Sequence, residues 1–133
     1  MTGQPAADSE RASALERLEG AFALRFTGRA EGARRAQSEI DAARARGDEA
    51  TEAAAQVVYN YCLDVPETPT AALEQLRRAH DGCKEAGDDK HQVRAADLLA
   101  TIFEAMGDYK SAVHYADTAR EVARRSGDRL FEG

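Results

Sequence analysis

Residues 95–123 read AADLLATIFEAMGDYKSAVHYADTAREVA. The first half places apolar residues at Ala95, Leu98, Leu99, Ile102, Phe103 and Met106. Gaps of three and four describe one face of an α-helix. Gly107-Asp108 then interrupts the pattern. After it, Ala112, Val113, Ala116, Ala119, Val122 and Ala123 resume helical spacing. The stretch therefore reads as two helices joined by a tight turn.

The same pattern recurs along the chain. Gly47-Asp48, Gly87-Asp88 and Gly127-Asp128 lie 40 residues apart, and Ala7-Asp8 is a relaxed fourth copy. A fixed period of this size is the mark of stacked helical units. One period back, the first-helix stripe holds Ala55, Val58, Tyr59, Cys62, Leu63 and Pro66. Two periods back it holds Leu15, Leu18, Glu19, Phe22, Ala23 and Phe26. Second helices repeat as well. Ala72, Leu73, Leu76, Ala79, Gly82 and Cys83 form one face; Gly32, Ala33, Ala36, Glu39, Ala42 and Ala43 form a weaker one. Small residues on these faces permit close helix approach.

The punctuation has physical causes. Glycine at 47, 87 and 127 can take the left-handed conformation that ends a helix. Arg44, Arg46, Lys84, Arg124 and Arg125 suit the carbonyl ends before those glycines. Asp48, Asp88 and Asp128 can cap the helices that follow. Thr68-Pro69 reads as a cap followed by proline at the first helical position. The expected organisation is a single domain of three helix pairs, 8–47, 48–87 and 88–127. Residues 128–133 would open an incomplete fourth unit. The fold class is all-α.

Composition limits the function. The chain of 133 residues carries a formal net charge of −6, with 43% hydrophobic and 32% charged residues. That is a folded composition without the basic stripe of a nucleic-acid surface. No apolar run approaches the roughly 18 residues of a membrane span. The N-terminus shows no signal-peptide pattern. Two cysteines make no disulfide framework. The expected location is the cytoplasm, with neither membrane nor nucleic acid as a direct partner.

Residues with chemical capacity are scattered. His80 and Cys83 share a helix face, but zinc needs about four ligands at set spacing, and His91, His114 and Cys62 fall elsewhere. The expected reading is a surface histidine beside a buried cysteine. Cys62 and Cys83 lie on apolar stripes, where a thiol is not activated. No Gly-x-Ser-x-Gly or phosphate-cradling loop is present. The chain is expected to be non-catalytic, without metal or cofactor.

The third unit resembles a tetratricopeptide repeat. The residues that carry the likeness are Ala100, Phe103, Gly107-Asp108-Tyr109, Ala112 and Ala119. The second unit keeps Leu63, Ala72 and Ala79; the first keeps Phe22, Gly28 and Ala33. The period of 40 residues exceeds the family's usual period of about 34, marking a long variant. The resemblance implies a right-handed superhelical α-solenoid of antiparallel helix pairs. It also implies a groove lined by first-helix residues that face away from the second helices. Those positions are Arg94, Asp97, Thr101 and Glu104 in the third unit. They are Ala54, Val57, Tyr61 and Asp64 in the second, and Ala14, Arg17, Ala21 and Leu24, with Arg25 adjacent, in the first. Tyr61 with Val57 would be the anchor, since aromatics dominate binding hot spots. Asp64, Asp97 and Glu104 would make a groove-bound peptide basic or apolar.

A repeat array needs polar ends. Glu19 and Glu39 suit a first-unit cap. At the far end Leu130 and Phe131 would form an apolar opening, available to further repeats or to a second copy in a homodimer. The expected function is a non-catalytic scaffold binding a peptide or partner helix, as a regulatory module of a longer bacterial-type protein. The alternative that the family suggests is a ligand-sensing domain controlling an attached transcription regulator or nucleotide cyclase.

Overall fold

A computed structural model describes residues 4–63 and 70–132, with side chains over 6–63, 70 and 72–127. All regular structure among the described residues is α-helical. The helices are α1 (Gln4–Ala23), α2 (Arg29–Ala45), α3 (Glu49–Tyr61), α4 (Thr70–Ala86), α5 (Asp89–Ala105) and α6 (Tyr109–Glu132). The Thr68-Pro69 cap lies outside the described residues. The chain forms two compact units, Met1–Asp64 and Val65–Gly133. Their boundary falls inside the second repeat of the sequence. The first unit contains α1, α2 and α3; the second contains α4, α5 and α6.

Three joints share one construction. Gly47, Gly87 and Gly107 take φ of 72°, 73° and 83°. The next residue's N–H reaches back to the helix just ended: Asp48 to the Ala43 carbonyl, Asp88 to Cys83 and Asp108 to Phe103, each at 2.9 Å. The left-handed glycine thus satisfies carbonyls the helix would leave open. The same aspartate then caps the next helix. Its carboxylate accepts the backbone N–H three residues on, from Thr51, His91 or Ser111. That residue's side chain also bonds the carboxylate: Thr51 Oγ1 at 2.6 Å, His91 Nδ1 at 2.9 Å, Ser111 Oγ at 2.8 Å.

Gly127-Asp128 breaks this rule, which corrects the sequence reading. Helix α6 runs through it without interruption, and Gly127 is not among the glycines with positive φ. The third residue after Asp128 is Phe131, which offers no side-chain donor. Residues 128–132 prolong α6 and do not open a fourth unit. The side chains of Leu130 and Phe131 lie outside those described. Gly127→Ala should therefore stabilise the chain by about 0.5–1 kcal/mol, since a Cβ meets nothing there and the helix gains alanine's propensity. Gly87→Ala, at positive φ, should cost about 1–2 kcal/mol. Urea unfolding of the pair checks the assignment; the same sign for both would defeat it.

In the first unit Leu18, Ala21, Ala36, Ile40, Ala54, Ala55 and Val58 form the core, flanked by Leu15, Phe22 and Tyr59. Burying one leucine contributes roughly 1.5–3 kcal/mol; the alanines contribute mainly by letting helices approach. The closest approach is at Gly32, where a Cβ would stand 2.8 Å from Cys62 Sγ and 2.9 Å from the Ala21 carbonyl oxygen. Ion pairs seal the unit's edge. Arg17 binds Glu39 through two bonds, at 2.7 and 3.1 Å, and Arg11 reaches Asp48 at 3.0 Å. In the second unit the core includes Leu76, Ala79, Cys83, Ala95, Leu99, Ile102, Phe103, Ala119 and Val122.

Several stripe positions differ from the sequence reading. Phe26 is 82% exposed because α1 ends at Ala23, which is itself exposed, and the turn carries Phe26 outward. Met106, in the turn after α5, is 62% exposed. On α2, Ile40 is buried while Ala42 is exposed. On α6, Ala112, Ala119 and Val122 are buried, but Val113 and Ala123 face outward. His80 is buried, not on the surface. Gln92 Nε2 donates to its Nε2 at 3.4 Å, so its Nδ1–H donates to Asp81 at 3.1 Å.

Candidate functional site

The expected groove residues separate into distinct environments. Ala14, Ala21, Ala54 and Val57 are fully buried. Helix α3 packs on both α1 and α2, so two of its stripes are covered where the sequence suggested one. Val57 is thus a core residue, not an anchor. Arg17 is spent on Glu39 of α2 and Glu10 of α1. Leu24 lies against Gly28 and Gly32 at the start of α2. Asp64 lies outside the described residues.

Tyr61 and Arg25 come together with two residues that were assigned to the apolar stripe. The Tyr61 and Phe22 rings meet edge-on, with centroids 5.1 Å apart. The Arg25 guanidinium carbon lies 3.9 Å from the Phe22 ring centroid and 4.6 Å from that of Phe26. Arg25 also donates to the Phe22 carbonyl oxygen at 2.9 Å. The guanidinium contacts both rings and holds Phe26 in place at the surface. Cation–π contacts of this kind contribute roughly 0.5–1 kcal/mol where exposed. Arg25 and Arg29 both act electrostatically on the nearby Cys62 thiol. Burial outweighs them and raises that thiol's pKa, which disfavours the thiolate form. Cys83 is likewise pushed up to about 12, by burial first and the Asp88 charge second. The signal for the cluster lay in FALRFTGR: Phe22, Arg25 and Phe26 are one helical turn apart, within reach of one another even as the helix ends.

In the second unit Arg94, Asp97, Thr101 and Glu104 follow one face of α5. Arg94 is half-buried and the others are exposed. Thr101 Oγ1 donates back to the Asp97 carbonyl at 3.0 Å. Surrounding protein displaces water from the Asp97 carboxyl and raises its pKa, although the residue remains exposed. A cleft of about 570 Å³ lies among the end of α4, the start of α5 and α6. Its carboxylates are already engaged. Asp89 accepts from Ser126 Oγ at 2.6 Å, Asp117 holds Arg120 at 3.1 Å, and Glu121 holds Arg124 at 2.7 Å.

Among the described residues no group of three His, Cys, Asp or Glu side chains could hold a metal ion. No described helix is long and apolar enough to cross a membrane. No family model matches the chain, and neither a curated protein nor a solved structure matches it.

Proposed function

We propose that the chain is a non-catalytic protein-interaction module that binds a segment of a partner protein. Its helix pairs would form a tetratricopeptide-like solenoid within a regulatory protein. The observation that carries the binding reading is Phe26. It is 82% exposed, held by Arg25, and accompanied by Phe22 and Tyr61. Tyrosine and arginine are enriched at binding hot spots, and an ordered aromatic loses little entropy on docking. Arg25 adds positive charge against the rings. The partner chemistry that fits is an apolar or aromatic side chain flanked by a carboxylate. The acidic neighbour departs from the basic or apolar peptide expected from Asp64, Asp97 and Glu104; Asp97 and Glu104 lie on α5 of the second unit, and Asp64 lies outside the described residues.

Selection from a random peptide display library tests this reading. Peptides binding the unaltered chain should converge on an apolar residue with an acidic neighbour. The double variant Arg25→Ala, Phe26→Ala should bind them at least about 30-fold more weakly, the scale of a hot-spot loss. Its thermal midpoint should fall only slightly, because Phe26 is exposed and exposed cation–π contacts such as those of Arg25 are worth roughly 0.5–1 kcal/mol. Failure to enrich a common sequence, or equal binding by the variant, would overturn the proposal.

A further inference from the structure

We infer that a second cleft, on the α4–α5–α6 unit, binds a small anion carried on a flat ring. The cleft measures about 530 Å³, within the range of roughly 300–1,000 Å³ typical of small-ligand sites. Aromatic rings form one wall. Phe103 and Tyr115 lie parallel, with centroids 5.8 Å apart and an interplanar angle of 2°. Tyr115 is held edge-on by His80 at 5.5 Å and by His114 at 4.9 Å. Three ring contacts leave it little freedom, so the wall is ordered before any ligand arrives.

The remaining lining is positive. Arg77 comes from α4, while Lys110 and His114 lie one turn apart on α6. Neither Arg77 nor Lys110 has an ion-pair partner among the described residues. Their neighbours do: Arg78 pairs with Glu74 on α4, and Arg120 with Asp117 on α6. Asp108 supplies the one carboxylate among the described lining residues. Both of its oxygens are committed to the helix cap, accepting the Ser111 N–H at 3.2 Å and Ser111 Oγ at 2.8 Å. Among the described lining residues the arginine and lysine set two cations against one carboxylate, a net +1 before any histidine is counted. The chain as a whole stands at −6, so this cleft runs against its charge. Arginine and lysine bind carboxylate and phosphate through charge-assisted hydrogen bonds, and a flat ring can stack beside Tyr115.

The ligand class is thus a ring bearing a carboxylate or a phosphate, either an aromatic acid or a nucleoside monophosphate. The site goes beyond the peptide reading and uses none of its residues. Titration of the isotopically labelled full chain, followed by amide NMR shifts at Phe103, Lys110, Ser111 and Tyr115, provides the test. The probes are benzoate, adenosine monophosphate, inorganic phosphate and benzyl alcohol. At least one of the two ring anions should saturate with a dissociation constant near or below ~1 mM. The one that saturates identifies the source of the anion. Inorganic phosphate and benzyl alcohol should bind about tenfold more weakly or not at all, because each lacks half of the recognition. The variant Arg77→Gln, Lys110→Gln should lose about tenfold or more at an unchanged thermal midpoint, since neither side chain has an ion-pair partner among the described residues. The inference falls if neither ring anion saturates by roughly 10 mM, if the variant binds equally well, or if inorganic phosphate alone matches the ring anions.

Discussion

Gly32→Ala is expected to destabilise the folded chain by about 1–3 kcal/mol, the usual cost of forcing atoms into a filled site. In an unconstrained helix interior the same change stabilises by roughly 0.5–1 kcal/mol. The sign therefore reports the packing. A Cβ at Gly32 would meet Cys62 Sγ at 2.8 Å and the Ala21 carbonyl oxygen at 2.9 Å. The sulfur could rotate away, but it already bonds that carbonyl at 3.8 Å. The backbone oxygen can yield only if α1 and α2 separate. Core alanines such as Ala21 and Ala36 would then lose contact. Gly20→Ala on α1 is the control, because a Cβ there meets nothing within 4 Å. Urea unfolding should show loss at Gly32 and gain at Gly20. Gain at both would mean that the α1–α2–α3 unit is looser than described.

The second large effect is expected at Asp88. Removing it as Asp88→Ala takes away the α5 cap, worth about 1 kcal/mol. It also leaves the His91 ring with no partner, adding roughly 1–3 kcal/mol for a buried polar group. His91 is only 3% exposed, and its Nε2 already makes no hydrogen bond among the described residues. Nδ1 is the ring's one satisfied nitrogen, at 2.9 Å from Asp88. Asp108→Ala removes an otherwise identical cap, but Asp108 is exposed and its Ser111 partner can turn to water. That change should cost only about 1 kcal/mol. Hydrogen exchange of α5 and α6 amides measures both variants. Equal losses would show that the buried histidine contributes nothing.

The same contact has a pH signature. Burial alone would raise the Asp88 carboxyl; the His91 hydrogen bonds and charge outweigh it, with Lys90 assisting, and hold it below the ordinary value. A carboxylate with a depressed folded pKa binds fewer protons folded than unfolded. Its contribution is present above about pH 4, the unfolded aspartate value. It fades as pH falls through the lower folded value. Asp48 is also depressed. Burial again opposes, and the Thr51 and Arg11 hydrogen bonds prevail. The stability gap between the unaltered chain and Asp88→Ala should therefore narrow in acid. A gap that widens below pH ~4 would contradict the sign.

Helix positions were legible because backbone hydrogen bonding is local. The stripe spacing and the Gly-Asp pairs located the helices and three of the joints from residues a turn or two apart. The failure at Gly127 is also written locally. Thr51, His91 and Ser111 follow their aspartates at the third position and can donate; Phe131 cannot. Period alone was a weaker guide than that donor.

Which face of each helix becomes interior was not legible, because it depends on how many neighbours cover it. Val57 and Ala54 looked like a second, outward stripe, yet α3 packs on both α1 and α2 and buries them. Arg17 looked like a groove cation, yet Glu39 on α2 claims it. Phe26 looked like core, but α1 stops three residues before it. Arg77 and Lys110 are far apart in the chain and share a cleft only because α4 and α6 both pack on α5. Local hydrogen bonds and caps decide where a helix begins and ends, and the sequence by itself determined most of that. Burial and ion pairing are settled between segments distant in the chain, so only the tertiary structure decided which residues are core, which are paired and which remain available to a ligand.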